Sequence, residues 1–364
     1  MANRSLLTMD GPSQEMSKLQ ITSSSGNYEV VVGSSIFQKS ISEDDLFIVD
    51  RNLSATFKTR PRNIIELNAS EDSKNLNTVE ELVISMKNLN VNRKTHVVAI
   101  GGGYIQDVAT LTCSLYMRGL KWTYVPTSLM AMVDSCIGGK SSINVGRFKN
   151  LVGNFYPPER VIADLEFTET LSASAIACGM SEAIKICYAR GNSEFLEFIR
   201  LYSESTNLNS LQGSQLVAHI LMAKKWFIEN DEFDIGVRQL LNFGHTYGHA
   251  LEAATKFSIP HGIAIGLGMQ AAIDFGINRA GKQEEELVQN VKKILAPVKN
   301  EINEWSVNFD PSLFKNAFAG DKKHTSSTFR QILSIDGHLE VIEVIKSEAI
   351  LNQAARSMQK VLTS

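Results

Sequence analysis

The arrangement of short apolar runs in the first half of the chain is the feature that most constrains its fold. Runs of strand length, rich in β-branched residues, occur at 28–32, 46–49, 63–67, 95–100, 122–125 and 161–164. Helical stretches separate several of these runs, as at 79–88 and 105–116. Strands that alternate with helices in this way predict a parallel sheet in an α/β layer structure.

The second half has a different pattern. Helical periodicity occurs at 172–189, 193–201, 210–230, 238–256, 262–280 and 284–295, with Gly, Asn or Pro between the segments. A chain of 364 residues is also long for a single hydrophobic core. We therefore predict an α/β domain over 1–167, with 1–16 as an extension, and a helical domain over 168–364.

Composition excludes several classes of protein. A net charge of −3, with 43% apolar and 21% charged residues, is typical of a globular protein and argues against a general nucleic-acid surface. No apolar stretch is long enough for a membrane span, and the first residues lack the apolar core of a signal peptide, so we expect a cytoplasmic protein. The four cysteines are widely spaced without a C-x-x-C pair, which predicts reduced core thiols.

Polar residues recur at helical spacing near the middle of the second half. Arg238, Asn242, His245 and His249 follow one another at intervals of four, three and four, so on one helix they would fall within roughly 60° of each other. Their neighbours are mostly apolar, and a third histidine, His261, follows. Buried polar groups need partners or ligands, so the stripe indicates a site for a metal and an anion. The alternative is a solvated helix face.

Three consecutive glycines, Gly101 to Gly103, lie between the strand at 95–100 and the helix at 105–116. In this arrangement backbone N–H groups and a helix N-terminus can receive a phosphate or pyrophosphate. The same glycines also suit a simple tight connection. The local pattern leaves both interpretations open.

Longer motifs carry a family resemblance. They read GGGYIQDVA (101–109), YMRG (116–119), VPTSLMAMVDSCIGGK (125–140), KNLVGNFYPP (149–158), GMSEAIK (179–185) and LLNFGHTYGHALE (240–252). Over about residues 45 to 340 the chain resembles the 3-dehydroquinate synthase family of sugar phosphate cyclases, in the family's motif order. More loosely, it is similar to glycerol dehydrogenase and other metal-dependent polyol dehydrogenases.

The resemblance implies a Rossmann-like α/β NAD-binding domain, an all-α metal-binding domain and an active site in the cleft between them. It also implies a cytoplasmic homodimer that acts on a small sugar phosphate, with no nucleic-acid or membrane partner. The metal ligands it implies are Glu182, His245 and His261, for zinc or cobalt. The alternative for Glu182 is a helix salt bridge to Lys185.

The implied NAD site draws on both halves of the chain. An acidic residue in it suits ribose hydroxyls and disfavours a 2′-phosphate. The residues carried over from the family are Asp50, Asn52, Glu71, Lys74, Gly101, Gly102, Gly103, Asp107, Thr127, Ser128, Lys140, Lys149, Thr168 and Leu171.

The implied reaction is cyclisation of 3-deoxy-D-arabino-heptulosonate 7-phosphate to 3-dehydroquinate with loss of phosphate, NAD being recycled. Arg238 would hold the substrate carboxylate, and Arg118 is a candidate contribution from a neighbouring subunit. The substrate-binding set is Arg118, Lys140, Asn150, Lys185, Lys224, Arg238, Asn242, His249 and Lys322. The catalytic set is Asp134, Lys140, Lys185, Lys224 and His249.

Some positions depart from the family pattern. The family's N-H-P-x-G-K-N motif reads N-V-G-R-F-K-N here (144–150). After the triple glycine the family usually has Gly-Asp, whereas here Gln106 precedes Asp107. The glycine that usually follows 321–323 is replaced around Ser327. These departures leave open a specialised cyclase that acts on an amino analogue or on sedoheptulose 7-phosphate. A net NAD-linked polyol dehydrogenase and a catalytically silent homologue are further alternatives.

Overall fold

The structure is a computed structural model that describes residues 16–57, 61–146, 148–276 and 281–364. It divides into two compact units. The sheet unit comprises Met1–Thr127, Ser141–Glu169 and Leu201–Ala218, and the helical unit comprises Ser128–Lys140, Thr170–Arg200 and His219–Ser364. One division falls two residues after the predicted boundary, but each unit also takes a segment from the other side of it. The predicted extension at 1–16 lies almost wholly outside the described residues.

A seven-stranded sheet forms the centre of the described part of the sheet unit, in the order β1-β2-β9-β6-β5-β3-β4. All neighbouring pairs are parallel except β1 with β2. The strands are β1 Ser17–Ile21, β2 Tyr28–Gly33, β3 Leu46–Asp50, β4 Ile64–Leu67, β5 Val97–Gly101, β6 Trp122–Pro126 and β9 Arg160–Asp164. The parallel α/β prediction is confirmed, and β1 is an addition to it.

Burial explains why these strands read as continuous apolar runs. Every residue of β5 and β6 is buried, as expected for central strands of a parallel sheet that is covered on both faces. The helices α1 Leu76–Asn88 and α2 Gly103–Leu115 connect β4 to β5 and β5 to β6. A smaller hairpin, β7 Ile143–Val145 with β8 Phe148–Val152, belongs to the same unit.

Strand order creates a crevice at one point of the sheet. The chain leaves β3 for β4 on one side, whereas it leaves β5 for β6 on the other side, and β3 and β5 are neighbours. Connections that diverge in this way open a crevice at the carboxyl ends of the strands, where α/β proteins bind ligands. Asp50 ends β3 and Gly101 ends β5, so both lie at this point.

The helical unit is built mainly from α-helices, to which it adds an antiparallel hairpin, β10 Thr328–Ile335 with β11 His338–Ile345. The all-α prediction did not include this hairpin. The helices are α3 Ala173–Arg190, α4 Asn192–Glu204, α5 Leu211–Asn230, α6 His245–Ala254, α7 His261–Phe275, α8 Lys282–Leu295, α9 Lys299–Ser306, α10 Pro311–Ala319 and α11 Glu348–Leu362, of which α4 and α5 contribute to both units.

The single helix predicted over 238–256 is wrong. A 3₁₀ helix, Val237–Asn242, ends before Gly244, and α6 begins only at His245. Gly244 has a left-handed φ of 78°, and a Cβ there would lie 2.8 Å from the backbone N of Met269. Arg238 and Asn242 therefore do not share a helix face with His245 and His249.

Close helix approaches bring the metal-site elements together. A Cβ at Gly262, near the start of α7, would lie 2.3 Å from the carbonyl oxygen of Cys178 on α3. A Cβ at Gly268 would meet the carbonyl oxygen of Gly244 at 2.3 Å. Glycine at these positions lets α3 and the chain at the start of α6 approach α7 at backbone distance.

The structure also bears on the predicted core thiols and on the membrane. All four cysteines are buried free thiols, and burial raises the pKa of each, to about 12 for Cys136. The prediction of core thiols is confirmed. Within the described ranges, no helix has the length and apolar character of a membrane span.

Candidate active site

Three side chains on three helices of the helical unit converge on one point. Glu182 lies on α3, His245 is the first residue of α6, and His261 is the first residue of α7. Glu182 Oε1 lies 3.9 Å from His245 Nε2 and 3.8 Å from His261 Nε2. A tetrahedral zinc ion with bonds of about 2.0–2.1 Å separates its ligands by about 3.3 Å, so a small shift would complete the geometry.

The remaining polar atoms of these residues have other partners. His245 Nδ1 lies 3.3 Å from the carbonyl oxygen of Phe243, and His261 Nδ1 lies 3.3 Å from Glu252 Oε2. A protein partner on the second ring nitrogen is usual for metal-binding histidines, because it fixes the ring and its tautomer. Both Nε2 atoms are thereby directed to the same side as Glu182 Oε1.

Glu182 satisfies both interpretations made from its sequence. Its Oε2 accepts a short hydrogen bond from Lys185 Nζ, one turn along α3. Its Oε1 is buried and has no hydrogen-bond partner in the described part of the chain. Since a buried carboxylate oxygen is rarely left without a partner, this atom fits a metal ion, and the donor set of one carboxylate and two imidazoles suits zinc or cobalt.

His249 offers an alternative third ligand. The ligand atoms of His245, His249 and His261 all lie within 4.8 Å of one another. We favour Glu182 for the third position, because it presents a buried oxygen with no hydrogen-bond partner among the described residues. His249 then lies beside the metal site, free for contact with a substrate.

Protonation of the histidines differs. Burial and the positive charge of Lys185 hold the pKa of His245 well below its usual range. Burial, followed by the charge of His261, lowers the pKa of His249 to about 4. Burial alone would lower the pKa of His261, but Glu252 and Glu182 outweigh it and raise that pKa. His245 and His249 are thus neutral at pH 7, the form in which imidazole binds metal or accepts a proton.

Several cations surround the carboxylate of Asp134. Lys224 Nζ lies 2.7 Å from Asp134 Oδ1 and also donates to the carbonyl oxygens of Asp134 and Ile137. Burial alone would raise the pKa of Asp134, but Lys224, Lys185 and Arg238 outweigh it and lower the pKa to about 2. Lys185 is paired with Glu182, whereas Lys224 is paired with Asp134, so an anionic ligand bound here would meet cations that already have carboxylate partners.

Arg238 and Lys140 each contact the turn that follows α5. Arg238 Nη1 donates to the carbonyl oxygen of Glu232 at 2.6 Å, and Lys140 Nζ lies 2.7 Å from Asp234 Oδ2. Burial, followed by the charge of Arg238, lowers the pKa of Lys140. Asp234 was absent from the predicted site, although its place four residues before Arg238 was a signal that could have been used.

Two other predicted substrate residues lie in different surroundings. Asn242 Nδ2 donates to the carbonyl oxygen of Gln239 at 3.1 Å, and Lys322 is exposed. The next residue, Lys323, pairs with Asp321 at 3.2 Å, and its charge is among those that lower the pKa of His245 and of His249. Sequence reasoning did not distinguish the two adjacent lysines, and Lys323 is a further cation near the histidines.

In the sheet unit, several predicted cofactor residues are paired with one another. The buried Lys74 places its Nζ 2.7 Å from Asp107 Oδ2 and 2.8 Å from Asn150 Oδ1. Asp107 Oδ1 accepts the backbone N–H of Ser142 at 2.9 Å, and burial is the main cause that raises the pKa of Asp107. Asn150, predicted as a substrate residue, thus belongs to the same network as two predicted cofactor residues.

The triple glycine lies at the crevice between β3 and β5. Gly102 caps the N-terminus of α2 and provides no side-chain hydrogen bond to its first turn. A Cβ at Gly101 would lie 2.3 Å from Ile105 Cγ1, so glycine is needed for this turn. Free N–H groups at a helix N-terminus at a topological switch point suit the pyrophosphate of a dinucleotide.

The other predicted cofactor residues are distributed between the units. At the crevice, the carboxylate of Asp50 accepts the N–H of Asn52, and Glu71 accepts from Asn144 Nδ2 at 2.8 Å. The sheet unit also contains Thr127, Thr168 and Lys149. Arg118, which was predicted to bind substrate, lies in the same unit and is exposed, with a φ of 68°. The helical unit contains Ser128, Leu171 and Lys140.

Comparison with protein families identifies two adjoining matches. Residues 64–178 match the family described as 3-dehydroquinate synthase N-terminal, and residues 179–324 match 3-dehydroquinate synthase C-terminal. The 3-dehydroquinate synthase of Pelagibacter ubique is 34% identical over 292 residues, which cover 74% of this chain and 79% of that protein. The enzyme of the same name from Saccharolobus solfataricus is 36% identical over 264 residues, covering 71% and 74%.

Solved structures share the fold at lower identity. A 2-deoxy-scyllo-inosose synthase complexed with carbaglucose-6-phosphate, NAD⁺ and Co²⁺ superposes with a TM-score of 0.77 at 23% identity, covering 93% of this chain and 99% of that one. The 2-epi-5-epi-valiolone synthase ValA of Streptomyces hygroscopicus, with NAD⁺ and Zn²⁺ bound, gives 0.76 at 21%, covering 92% and 96%. A probable glycerol dehydrogenase from Sinorhizobium meliloti gives 0.56 at 12%, covering 91% and 94%.

Proposed function

Because the chain belongs to the 3-dehydroquinate synthase family, we propose that it converts 3-deoxy-D-arabino-heptulosonate 7-phosphate into 3-dehydroquinate with loss of phosphate. Members of this family are carbon–oxygen lyases. The observation that carries the proposal is the buried, unpaired Glu182 Oε1 facing His245 Nε2 and His261 Nε2. Such a site beside three lysine and arginine cations suits a substrate with both hydroxyl groups and negative charge.

We further propose that the chain uses NAD and one divalent metal ion. The synthases of similar fold described above hold NAD⁺ with Co²⁺ or Zn²⁺. The donor set of Glu182, His245 and His261 fits the metal, and the glycine turn at the start of α2 fits the pyrophosphate of NAD. When bound, NAD would take a hydride from a substrate carbon and return it, while the metal would polarise substrate hydroxyl groups.

The protein's own residues would orient the substrate and stabilise its charges. Arg238 would bind the carboxylate, because a planar guanidinium can make two parallel hydrogen bonds to it. Lys224, held by Asp134, would meet a ring hydroxyl. Lys140 and Lys185 would stabilise negative charge on the phosphate as it leaves. His249, neutral at pH 7, would accept or return a proton at a ring nitrogen.

A specialised cyclase is the second candidate. The segment 144–150 departs from the family pattern close to Lys149 and Asn150, two residues predicted to contact cofactor and substrate. Such an enzyme would act on sedoheptulose 7-phosphate or on an amino analogue of the heptulosonate. The retained Arg238 favours the acidic substrate, because a planar guanidinium matches a carboxylate with two parallel hydrogen bonds.

The first experiment is an assay of purified protein with NAD and zinc or cobalt, in which phosphate release and NADH absorbance are followed together. We expect phosphate from the heptulosonate phosphate without net NADH. Turnover of sedoheptulose 7-phosphate alone would establish the specialised cyclase, and accumulation of NADH without phosphate would establish a dehydrogenase. Arg238→Ala should raise KM strongly, whereas Arg200→Ala, which removes an exposed partner of Glu197, should not.

We propose that the enzyme is a cytoplasmic homodimer in which Arg118 enters the neighbouring active site. The four reduced thiols support a reducing compartment, and Arg118 is exposed beside Met117, both with left-handed φ angles. Dimerisation is measured by light scattering. Mixing the inactive variants Arg118→Ala and Glu182→Gln should restore activity if Arg118 acts across the dimer, since a mixed dimer would contain one complete site.

A further inference from the structure

A turn between α5 and the 3₁₀ helix of the helical unit is organised by one carboxylate. Asp231 follows the last residue of α5 and is 9% exposed. Its Oδ1 accepts the backbone N–H of Ile235 at 3.0 Å. Its Oδ2 accepts the N–H groups of Gly236 at 2.7 Å and of Arg238 at 3.0 Å. One side chain thus fixes three backbone positions within eight residues.

The charge of Asp231 is maintained by these contacts. Burial by itself would raise the pKa of the carboxyl, but the N–H groups of Ile235, Gly236 and Arg238 outweigh it and lower the pKa. The group is therefore ionised at neutral pH. A charged acceptor makes stronger hydrogen bonds to N–H groups than a neutral one does, so the turn depends on the carboxylate itself.

The ordered turn carries two groups of the candidate site. Asp234 lies within it, with a left-handed φ of 61°, and holds Lys140 Nζ at 2.7 Å. Arg238 ends the turn, with its backbone N–H on Asp231 and its Nη1 on the carbonyl oxygen of Glu232. A Cβ at Gly138 would lie 2.4 Å from Arg238 Nη2, so the guanidinium packs where only glycine leaves room for it.

We infer that Asp231 is a positioning residue that directs Arg238 toward the substrate carboxylate and Asp234 toward Lys140, and so sets the preference for an acidic substrate. The inference rests on the proposed function, in which Arg238 binds that carboxylate. Asp231 acts through the turn and does not itself touch the substrate. Its loss should therefore weaken substrate binding and specificity more than the chemical steps.

The test compares Asp231→Asn with Asp310→Asn. Asp310 is a matched control, because its Oδ1 caps α10 by accepting the N–H groups of Ser312 at 2.8 Å and Leu313 at 3.1 Å, outside the candidate site. Both variants lose a carboxylate that accepts backbone N–H groups, so both should unfold at lower temperature. A variant Asp231→Glu, which keeps the carboxylate but displaces it by one methylene, provides an intermediate if Asp231→Asn does not fold.

We expect Asp231→Asn to raise KM for the heptulosonate phosphate by about tenfold or more, with a smaller change in kcat. Its ratio of kcat/KM for the heptulosonate phosphate over sedoheptulose 7-phosphate should fall by a similar factor. Amide hydrogen exchange at Ile235, Gly236 and Arg238 should accelerate in the same variant. Asp231→Glu should lie between wild type and Asp231→Asn, and Asp310→Asn should match wild type in KM and in the exchange of these amides.

Unchanged exchange at the three amides overturns the inference, because Asp231 would then not order the turn. Faster exchange with KM and substrate preference unchanged overturns it as well, since the turn would then have no role in binding. A wild-type protein that releases no phosphate from the heptulosonate phosphate contradicts the proposed function instead. In that case the exchange rates alone decide whether Asp231 fixes the backbone of Arg238.

Discussion

Each unit contains a buried lysine–carboxylate pair, and the two pairs are completed differently. In the sheet unit, Lys74 Nζ contacts both Asp107 and Asn150, and the second oxygen of Asp107 accepts the N–H of Ser142. In the helical unit, Lys185 contacts one oxygen of Glu182, and the other oxygen has no hydrogen-bond partner among the described residues. The first network is closed, and the second is open at one atom.

The open atom distinguishes a ligand from a structural pair. A buried carboxylate oxygen without a partner is costly, so it persists where something else occupies its position. Two imidazole Nε2 atoms face this oxygen at 3.8 and 3.9 Å. The closed network of Lys74 needs no ligand to satisfy its atoms, and we infer that it primarily holds the segments of the cofactor crevice together.

Loss of the open carboxylate should have the largest effect. Glu182→Gln keeps the shape of the side chain but places a neutral amide in the metal site, so metal affinity should fall by more than about a hundredfold. Metal content after dialysis, measured by mass spectrometry, should drop from about one ion per chain to near zero. Glu229→Gln, which removes an exposed partner of Lys225, is the control and should retain metal.

If Glu182→Gln retains its metal, Glu182 is not a metal ligand, and the contrast between the two lysine–carboxylate pairs does not hold. His249 would then be the third ligand with His245 and His261, and His249→Ala should abolish binding instead.

Breaking the closed network should affect stability rather than metal. Lys74→Met leaves the largely buried Asp107 without its cation, and removal of one partner of a buried pair costs about 3 kcal/mol in the free energy of unfolding. The measurement is urea unfolding without NAD, with metal content as a second readout that should not change. Lys121→Met is the control, because its pair with Glu159 is exposed and should matter by less than about 1 kcal/mol.

The double change Lys74→Met with Asp107→Leu sharpens this prediction. Replacing both members of a buried pair with apolar side chains is often close to neutral, so the double variant should regain most of the lost stability. A double variant as unstable as the sum of both single changes would mean that the network contributes more than the pairing of two charges.

Glu252 orients a metal ligand from outside the open site. Its Oε2 lies 3.3 Å from His261 Nδ1. Glu252→Gln should therefore lower metal affinity by about 10- to 100-fold, less than Glu182→Gln. Titration against a fluorescent chelator measures this difference. Equal losses in the two variants would show that Glu252 is itself a ligand.

The Asp134–Lys224 pair gives a pH-dependent prediction of smaller size. Because Lys224, Lys185 and Arg238 lower the folded-state pKa of Asp134 to about 2, the pair stabilises the protein fully above the usual carboxyl pKa near 3.8. That contribution, about 2 kcal/mol, is lost as the pH falls toward 2. The stability gap between wild type and Asp134→Asn in urea should be constant from pH 7 to 5 and narrow only below pH 4. A gap that narrows above pH 5 would contradict the lowered pKa.

Prediction from sequence succeeded where the signal was local. The buried strands β5 and β6 are recognisable because central parallel strands are apolar on both faces. The triple glycine was correctly placed between a strand and a helix. The prediction of one polar stripe from Arg238 to His249 was wrong. It required an unbroken helix, and Gly244 interrupts the helix.

The organisation of the turn before Arg238 could not be read from spacing. Asp231 and Asp234 are three residues apart, yet one accepts backbone N–H groups and the other pairs with Lys140, more than ninety residues earlier in the chain. The difference depends on the left-handed backbone of Asp234 and on where Lys140 lies. Neither is encoded in the residues nearby.

The sequence by itself determined the family, the parallel sheet and the residue types that can bind a metal, because apolar periodicity and motif order are properties of the chain alone. Only the tertiary structure decided which atom of Glu182 is available, which lysine it pairs with, and that His245 and His261 turn their Nε2 atoms toward it. Those choices follow from the close packing of α3, α6 and α7 at glycine positions. Packing of that kind joins residues far apart in sequence, and no local pattern records it.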